Sequence, residues 1–238
     1  MMKDIPGIVF IHGAGLGSFI WNELKPLLNY PALFVDFPNR NDPDKVNSGL
    51  SLTDYSDSVI NQTEAWGKKN IILVCHSIGG IAALKVAEHF GSRITGFIAI
   101  SAVIPDRNQA FVSCLPFPKK IIMSLLIRMA GTKPPRSAIV QGLCNDLSSE
   151  QTQRVIRSFT PEAKSLYLEK CSCGIPNANT LYIKLSKDKE FPVSLQDKMV
   201  KNLKAQTVNT LESGHLPMMS VPQQLSAIIN DFIDKHGK

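Results

Sequence analysis

Apolar residues along the chain fall into short runs of two kinds. Runs of strand length occur at Ile8 to Ile11, Ala32 to Val35, Ile71 to Cys75, Gly96 to Ile100, Leu181 to Leu185 and, more weakly, Gln206 to Thr210. The first three have no polar interruption, which predicts strands that are fully buried. Between and after the runs, apolar positions recur at helical spacing over Phe19 to Leu28, Leu52 to Gly67, Ile78 to Phe90, Leu195 to Leu203 and Pro222 to Lys235. In the second of these, Leu52, Tyr55, Val59, Ile60 and Trp66 mark one side of the helix, while Asp54, Asp57 and Glu64 lie elsewhere around the turn. Such alternation predicts an α/β fold with a mostly parallel central sheet flanked by helices.

From Pro105 to about Asn179 the alternation lapses. Helices are predicted near Lys119 to Ala130 and Ser148 to Phe159, separated by prolines and polar turns. We therefore expect a single domain over residues 1–238, with residues 107–179 inserted as a helical cap. No linker rich in Gly, Ser or Pro divides the chain, and no internal repeat is evident.

Composition narrows the class. With 44% hydrophobic and 19% charged residues, 238 residues bury a sizeable core, which excludes a disordered chain and a minimal disulfide scaffold. Five cysteines, with Cys171 and Cys173 lacking a second close pair, read as free thiols rather than a zinc site. The net charge is +6, and Pro105 to Ala178 holds ten Lys or Arg against five Asp or Glu. These cations are scattered and no aromatic ladder accompanies them, so a solvated face is expected and no nucleic-acid partner. The longest mostly apolar stretch, Ile121 to Ala130, is interrupted by Arg128 and falls short of the roughly 20 residues a membrane span needs. Lys3, Asp4 and Pro6 precede the first apolar run, which is not a signal-peptide layout, so a cytoplasmic protein without membrane association is expected. Monomer and homodimer both stay open.

The chemistry is carried by Ile71-Ile72-Leu73-Val74-Cys75-His76-Ser77-Ile78-Gly79-Gly80, a buried strand that runs into a serine and then into a helix pattern. This is the layout of a nucleophile elbow, in which a tight strand-to-helix turn lifts the hydroxyl above the sheet and needs small residues two places either side. Gly79 meets that need, and Cys75 stands where a glycine is usual. A serine hydroxyl is a weak nucleophile near neutral pH, so a histidine base and an orienting carboxylate must follow in the order Ser, Asp or Glu, His. His215 stands in Glu212-Ser213-Gly214-His215-Leu216-Pro217, a turn between the last strand and the final helix. His89 and His236 read as solvent-exposed, and His76 adjoins Ser77 but would point away from it. Asp188 follows the strand Leu181 to Leu185, where active-site loops of open α/β sheets emerge. Asp106 is its main rival and Glu190 a weaker one.

Acyl transfer also needs N–H donors aimed at the oxyanion. Ile78, next to the nucleophile, supplies one; the other is expected from the loop His12-Gly13-Ala14-Gly15-Leu16-Gly17. That loop lacks both the Lys-Ser/Thr ending of a P-loop and the full Gly-x-Gly-x-x-Gly spacing of a dinucleotide turn.

These residues resemble the α/β-hydrolase superfamily, and within it the small esterase branch that includes plant methyl esterases and hydroxynitrile lyases. The likeness runs through His12-Gly13-Ala14, Trp21 with Leu24-Lys25-Pro26-Leu27-Leu28, His76-Ser77-Ile78-Gly79-Gly80, Ala102-Val103-Ile104-Pro105-Asp106, Asp188 before Pro192, and Gly214-His215. It implies Ser77 as nucleophile, His215 as general base and acid, Asp188 as its orienting carboxylate, and the Ala14 and Ile78 amides as the oxyanion hole, with no metal or organic cofactor. The lyases of the branch carry threonine and lysine where this chain has Gly13 and Leu216, so the resemblance favours ester hydrolysis over cyanohydrin cleavage. The expected partner is a small, largely apolar ester, with methyl esters and lactones as candidates. Phe19, Trp21, Leu115, Phe117, Met123, Leu126, Met129 and Met218 are candidate lining residues, with ordinary core as the competing reading for each. Two other functions stay open: a cofactor-independent, non-hydrolytic enzyme of lyase or oxygenase type in which His215 abstracts a substrate proton, and a catalytically silent ligand receptor on the same fold.

Overall fold

The computed structural model describes residues 5–40 and 46–236. Lys3 and Asp4, used above in reading the N-terminus, lie outside the described residues. In chain order the elements are β1 (Gly7–Ile11), β2 (Ala32–Val35), α1 (Leu52–Trp66), β3 (Ile71–His76), α2 (Gly79–Phe90), β4 (Ile94–Ile100), α3 (Phe111–Cys114), α4 (Lys119–Ala130), α5 (Arg136–Gly142), α6 (Ser149–Ser158), α7 (Ser165–Leu168), β5 (Asn179–Leu185), α8 (Val193–Leu203), β6 (Thr207–Leu211), α9 (Pro217–Ser220) and α10 (Pro222–His236). The strands form one sheet in the order β2-β1-β3-β4-β5-β6, every neighbouring pair parallel.

Strand periodicity divides the core into two layers. Val9, Ile11, Leu73, Cys75, Phe97 and Ala99 pack under α1, α2 and α8. Ile8, Phe10, Ile72, Val74, Ile98 and Ile100 face Leu225, Ile229 and Phe232 of α10. The chain steps from β1 outward to β2 and then back to β3, so the crevice between the carboxyl ends of β1 and β3 is the point where strand order reverses. Open α/β sheets place ligands at that point.

Two expectations need correction. Of Ala32 to Val35 only Val35 is buried, because β2 is an edge strand with one flank open. Phe19 to Leu28 is not one helix but two 3-10 turns, Ser18–Trp21 and Lys25–Leu27. Pro26 lacks the N–H that a continuous helix would donate to the preceding turn, and its ring disfavours α geometry at Lys25. The segment between β4 and β5 is helical, as its pattern predicts, but adds the short α3, α5 and α7 to α4 and α6; outside the named strands its one bridge pairs Gln109 with Cys171. All five cysteines are free and buried. Among the described residues, no helix is long and apolar enough to cross a membrane.

Candidate active site

Ser77 sits between β3 and α2 with φ of 54°, a left-handed conformation that a non-glycine residue adopts only under constraint. The constraint is visible. The Ser77 N–H donates to the Ile100 carbonyl at 3.2 Å, and its own carbonyl accepts from Val103 at 2.8 Å and Gly80 at 3.2 Å, so the end of β4 holds the turn. A Cβ at Gly79 would lie 2.4 Å from the His12 carbonyl oxygen, which makes glycine obligatory where α2 passes the loop after β1. Cys75 fills the other small position as a core residue, fully buried, with its thiol 3.6 Å from the Ile98 carbonyl. The turn therefore forms with a side chain at that site.

His215 arrives from the loop after β6 and Asp188 from the loop after β5. His215 Nε2 is 3.0 Å from Ser77 Oγ, and Nδ1 is 2.8 Å from Asp188 Oδ2. A carboxylate only accepts, so Nδ1 carries the proton and Nε2 offers its lone pair to the Ser77 hydroxyl. Asp188 Oδ2 also accepts from Ser101 Oγ at 2.7 Å, while Oδ1 accepts the N–H groups of Glu190 at 2.8 Å and Phe191 at 2.9 Å. Burial pushes the Asp188 carboxyl up, but the His215 charge and these donors outweigh it and hold the group down at about 2. Burial pulls His215 down, and the neighbouring Asp188 carboxylate more than reverses this, raising the imidazole above its ordinary value. The rivals fall away on position: Asp106 is exposed, and Glu190 contributes its backbone N–H to Asp188 rather than its carboxylate to the histidine.

Two buried groups fix the histidine loop. His76 turns behind His215, donates from Nε2 to the His215 carbonyl at 2.8 Å, and lies ring against ring at 4.7 Å. Burial, with the His215 charge adding to it, drives the His76 pKa well below the usual value, so it serves as a neutral donor. Asp146, from the segment between β4 and β5, accepts the Gly214 N–H at 2.6 Å and the Ser213 hydroxyl at 3.2 Å.

The loop after β1 is held as firmly. Burial, with the Arg40 charge assisting, drives His12 down to about 3, so the ring is neutral. It donates from Nδ1 to the Gly13 carbonyl at 2.8 Å and accepts the Phe37 N–H on Nε2 at 3.1 Å. Glu162 takes the Gly15 N–H at 2.9 Å, the Tyr55 hydroxyl at 3.0 Å and the Arg40 guanidinium. Among the hydrogen bonds of the described residues, none uses the N–H of Ala14 or Ile78. Both residues line the cavity into which Ser77 and His215 open.

That cavity encloses about 440 Å³. Its walls are mostly apolar, among them Phe111, Met123, Leu126, Ile127, Phe159 and Phe191, with Glu190 and Lys133 as the charged lining residues. Of the eight lining candidates, Met123 and Leu126 are there. The other six are elsewhere. Trp21 and Met218 are core residues on the α10 side of the sheet, Trp21 packed against Phe10 at 4.9 Å between ring centres. Leu115 is core on the other side. Phe117 and Met129 are 74% and 78% exposed, Met129 because it lies on the side of α4 opposite Met123 and Ile127. Phe19 borders an adjoining cleft of about 800 Å³ that also holds Asp36 and Arg40 and shares Phe159 with the cavity. Sequence reasoning did not single out Ser101, Asp146 or Glu162. Of these, only Ser101 carries a positional signal, as the first residue past the carboxyl end of β4.

Among the described residues, no group of three or more His, Cys, Asp or Glu side chains is placed to hold a metal ion. The cavity offers acyl-transfer geometry: a hydroxyl, an acceptor nitrogen and two unspent N–H groups around one apolar chamber.

Comparison with known proteins extends this picture. A profile of the alpha/beta hydrolase family matches residues 8–228. Norfluorocurarine synthase 1 of Strychnos nux-vomica is 27% identical, the match covering 95% of each chain. Methylesterase 9 of Arabidopsis thaliana is 22% identical, covering 96% of this chain and 98% of its own. Among solved structures, an extracellular alpha/beta-hydrolase from a Paenibacillus species superposes with a TM-score of 0.84 at 18% identity, over 98% of this chain and all of that one.

Proposed function

The chain belongs to the α/β-hydrolase family, and on that premise we propose that it is a serine carboxylesterase acting on small, largely apolar esters through an acyl-enzyme. The observation that carries this reading is the unbroken hydrogen-bonded row from Asp188 through His215 to Ser77, ending in an apolar cavity. His215 takes the Ser77 proton as the hydroxyl attacks the ester carbonyl. Asp188 holds the Nδ1–H tautomer and steadies the imidazolium that forms. The Ala14 and Ile78 amides receive the developing oxyanion. The alcohol leaves with the proton from His215, and water, deprotonated by the same nitrogen, releases the acid. The segment between β4 and β5 acts as the cap that excludes bulk water from this exchange.

Methyl esters and lactones fit the reading best, since a cavity of about 440 Å³ with mostly apolar walls takes a compact apolar acyl group. The methylesterase relative supports this substrate class. Cyanohydrin cleavage is disfavoured: a Cβ at Gly13 would come within 2.8 Å of Ser77 Cβ, and Leu216 is fully buried in the core. A second reading has one observation behind it, the relative named as a synthase. In that reading His215 abstracts a substrate proton and Ser77 only donates a hydrogen bond.

Turnover of p-nitrophenyl esters of increasing acyl length and of a methyl ester, by wild type and Ser77→Ala, separates the two. The esterase reading expects Ser77→Ala to lose about four to six orders of magnitude in kcat. Retention of most of the activity would overturn it in favour of proton abstraction.

A further inference from the structure

The helix that walls the cavity on one side is bare on the other. Phe117, just before α4, is 74% exposed, and along the helix Ile121, Ile122, Leu125 and Leu126 are 53% to 55% exposed and Met129 78%. These positions recur at spacings of three and four, so they form one stripe along the outer surface of α4. Single exposed apolar residues need no explanation, but a contiguous stripe on a helix of this length does.

The chain segment that carries the stripe has charges of one sign. From Arg107 to Asn145 the chain has six Lys or Arg and no Asp or Glu. Lys119, Lys120 and Arg128 of α4 are exposed, as are Lys133 and Arg136 just after it. Lys120 and Arg128 also stand on the rim of a shallow hollow of about 450 Å³ whose floor includes Val112, Ile121 and Leu125. The helix thus carries its own cations beside one apolar surface.

We propose that this face of α4 docks on an anionic phospholipid surface, the apolar stripe entering the headgroup boundary and the surrounding cations meeting lipid phosphates and carboxylates. A stripe with basic residues and no acidic ones is the composition of an interfacial helix. The same charges argue against a second copy of the chain as occupant, since a symmetric contact across α4 would set Lys120 and Arg128 against their own counterparts. Leu126 belongs to both faces, half-exposed on the stripe and lining the cavity, so the chamber above Ser77 opens beside the docking surface. Delivery of a lipid-dissolved ester to that mouth rests on the esterase reading; the docking itself does not.

The test is co-sedimentation of the full chain with vesicles of pure phosphatidylcholine and of equimolar phosphatidylcholine and phosphatidylserine. The expected result is binding to the mixed vesicles that falls steeply with added salt, with little binding to phosphatidylcholine alone. The doubly substituted Ile122→Ser, Leu125→Ser protein, with wild-type circular dichroism, should bind at least about tenfold more weakly, and so should Lys119→Glu, Lys120→Glu. Wild type remaining in the supernatant with mixed vesicles would overturn the proposal. So would equal, salt-insensitive binding to both vesicles. Failure to sediment, combined with a dimer in size-exclusion chromatography that Ile122→Ser, Leu125→Ser dissociates, would assign the face to a second copy instead.

Discussion

The carboxyl end of the sheet and the wall above it are held by different physics. Asp188 is fixed by donors from three directions, His215 by Asp188 and His76, and Ser77 by Ile100 and Val103, all on loops anchored at strand ends. Each of those bonds is directional and shielded from water, so a displacement of an ångström breaks it. The wall contributed by α4 has one buried side chain, Ile127, and meets the cavity through apolar side chains. The Asp188–His215–Ser77 row is thus set in a directional, hydrogen-bonded frame, while the α4 wall of the cavity is held by apolar contact. One fold can in this way keep a reaction and vary what it acts on.

That contrast breaks first at the frame. Asp188→Asn keeps the shape but forces the imidazole toward the wrong tautomer, and kcat for ester hydrolysis should fall about 10⁴-fold with the thermal melt still cooperative. Gly79→Ala drives a Cβ to within 2.4 Å of the His12 carbonyl. Displacing the loop that carries Ala14 should cost about 10²- to 10³-fold in kcat, with little change in the KM of short esters. In the wall the effects should be smaller and selective. Leu126→Ala should lower kcat/KM for long acyl chains by about tenfold and leave acetyl esters within about twofold, because only long chains reach that side chain.

The pH profile sharpens the same comparison. In the proposed mechanism His215 is a base only when neutral, and Asp188 holds its pKa above the ordinary histidine value. Activity should therefore be low in acid and rise through that raised pKa. In Asp188→Asn the residual activity should show its rise at lower pH, the direction in which burial alone pulls the ring. Leu126→Ala should leave the midpoint where it is.

The smallest effect tests a departure visible in the sequence. Cys75 occupies the position usually held by glycine, yet it is buried core and the Ser77 turn keeps its left-handed φ. Cys75→Gly should cost about 1–2 kcal/mol of stability, read from the denaturation midpoint, with kcat within about threefold.

The frame was also the more legible region. The four inner strands read as apolar runs because their residues are confined between two helical layers, and all six strands match within one or two residues at each end. Ser77, His215 and Asp188 were accessible because each follows a strand, where chain order alone assigns a residue to one sheet edge. The wall was not accessible, for a reason visible in α4. Met123 and Ile127 face the cavity while Ile121, Leu125 and Met129 face outward, so α4 has two apolar sides and the sequence pattern does not say which one faces inward. Trp21 and Met218 misled in the opposite way, since large apolar residues near a site are also what a core uses. Glu162 and Asp146 lie outside any motif, and their roles depend on contacts across 147 and 68 residues of chain.

The central claim is that Ser77 is an activated nucleophile. Intact mass after treatment with a serine-reactive fluorophosphonate, on wild type and Ser77→Ala, tests it without knowledge of the substrate. The account predicts a single adduct on the wild type, mapped to Ser77 and missing from the variant. A folded wild type that stays unmodified under conditions where a short p-nitrophenyl ester is turned over, or an adduct that persists in Ser77→Ala, would contradict it.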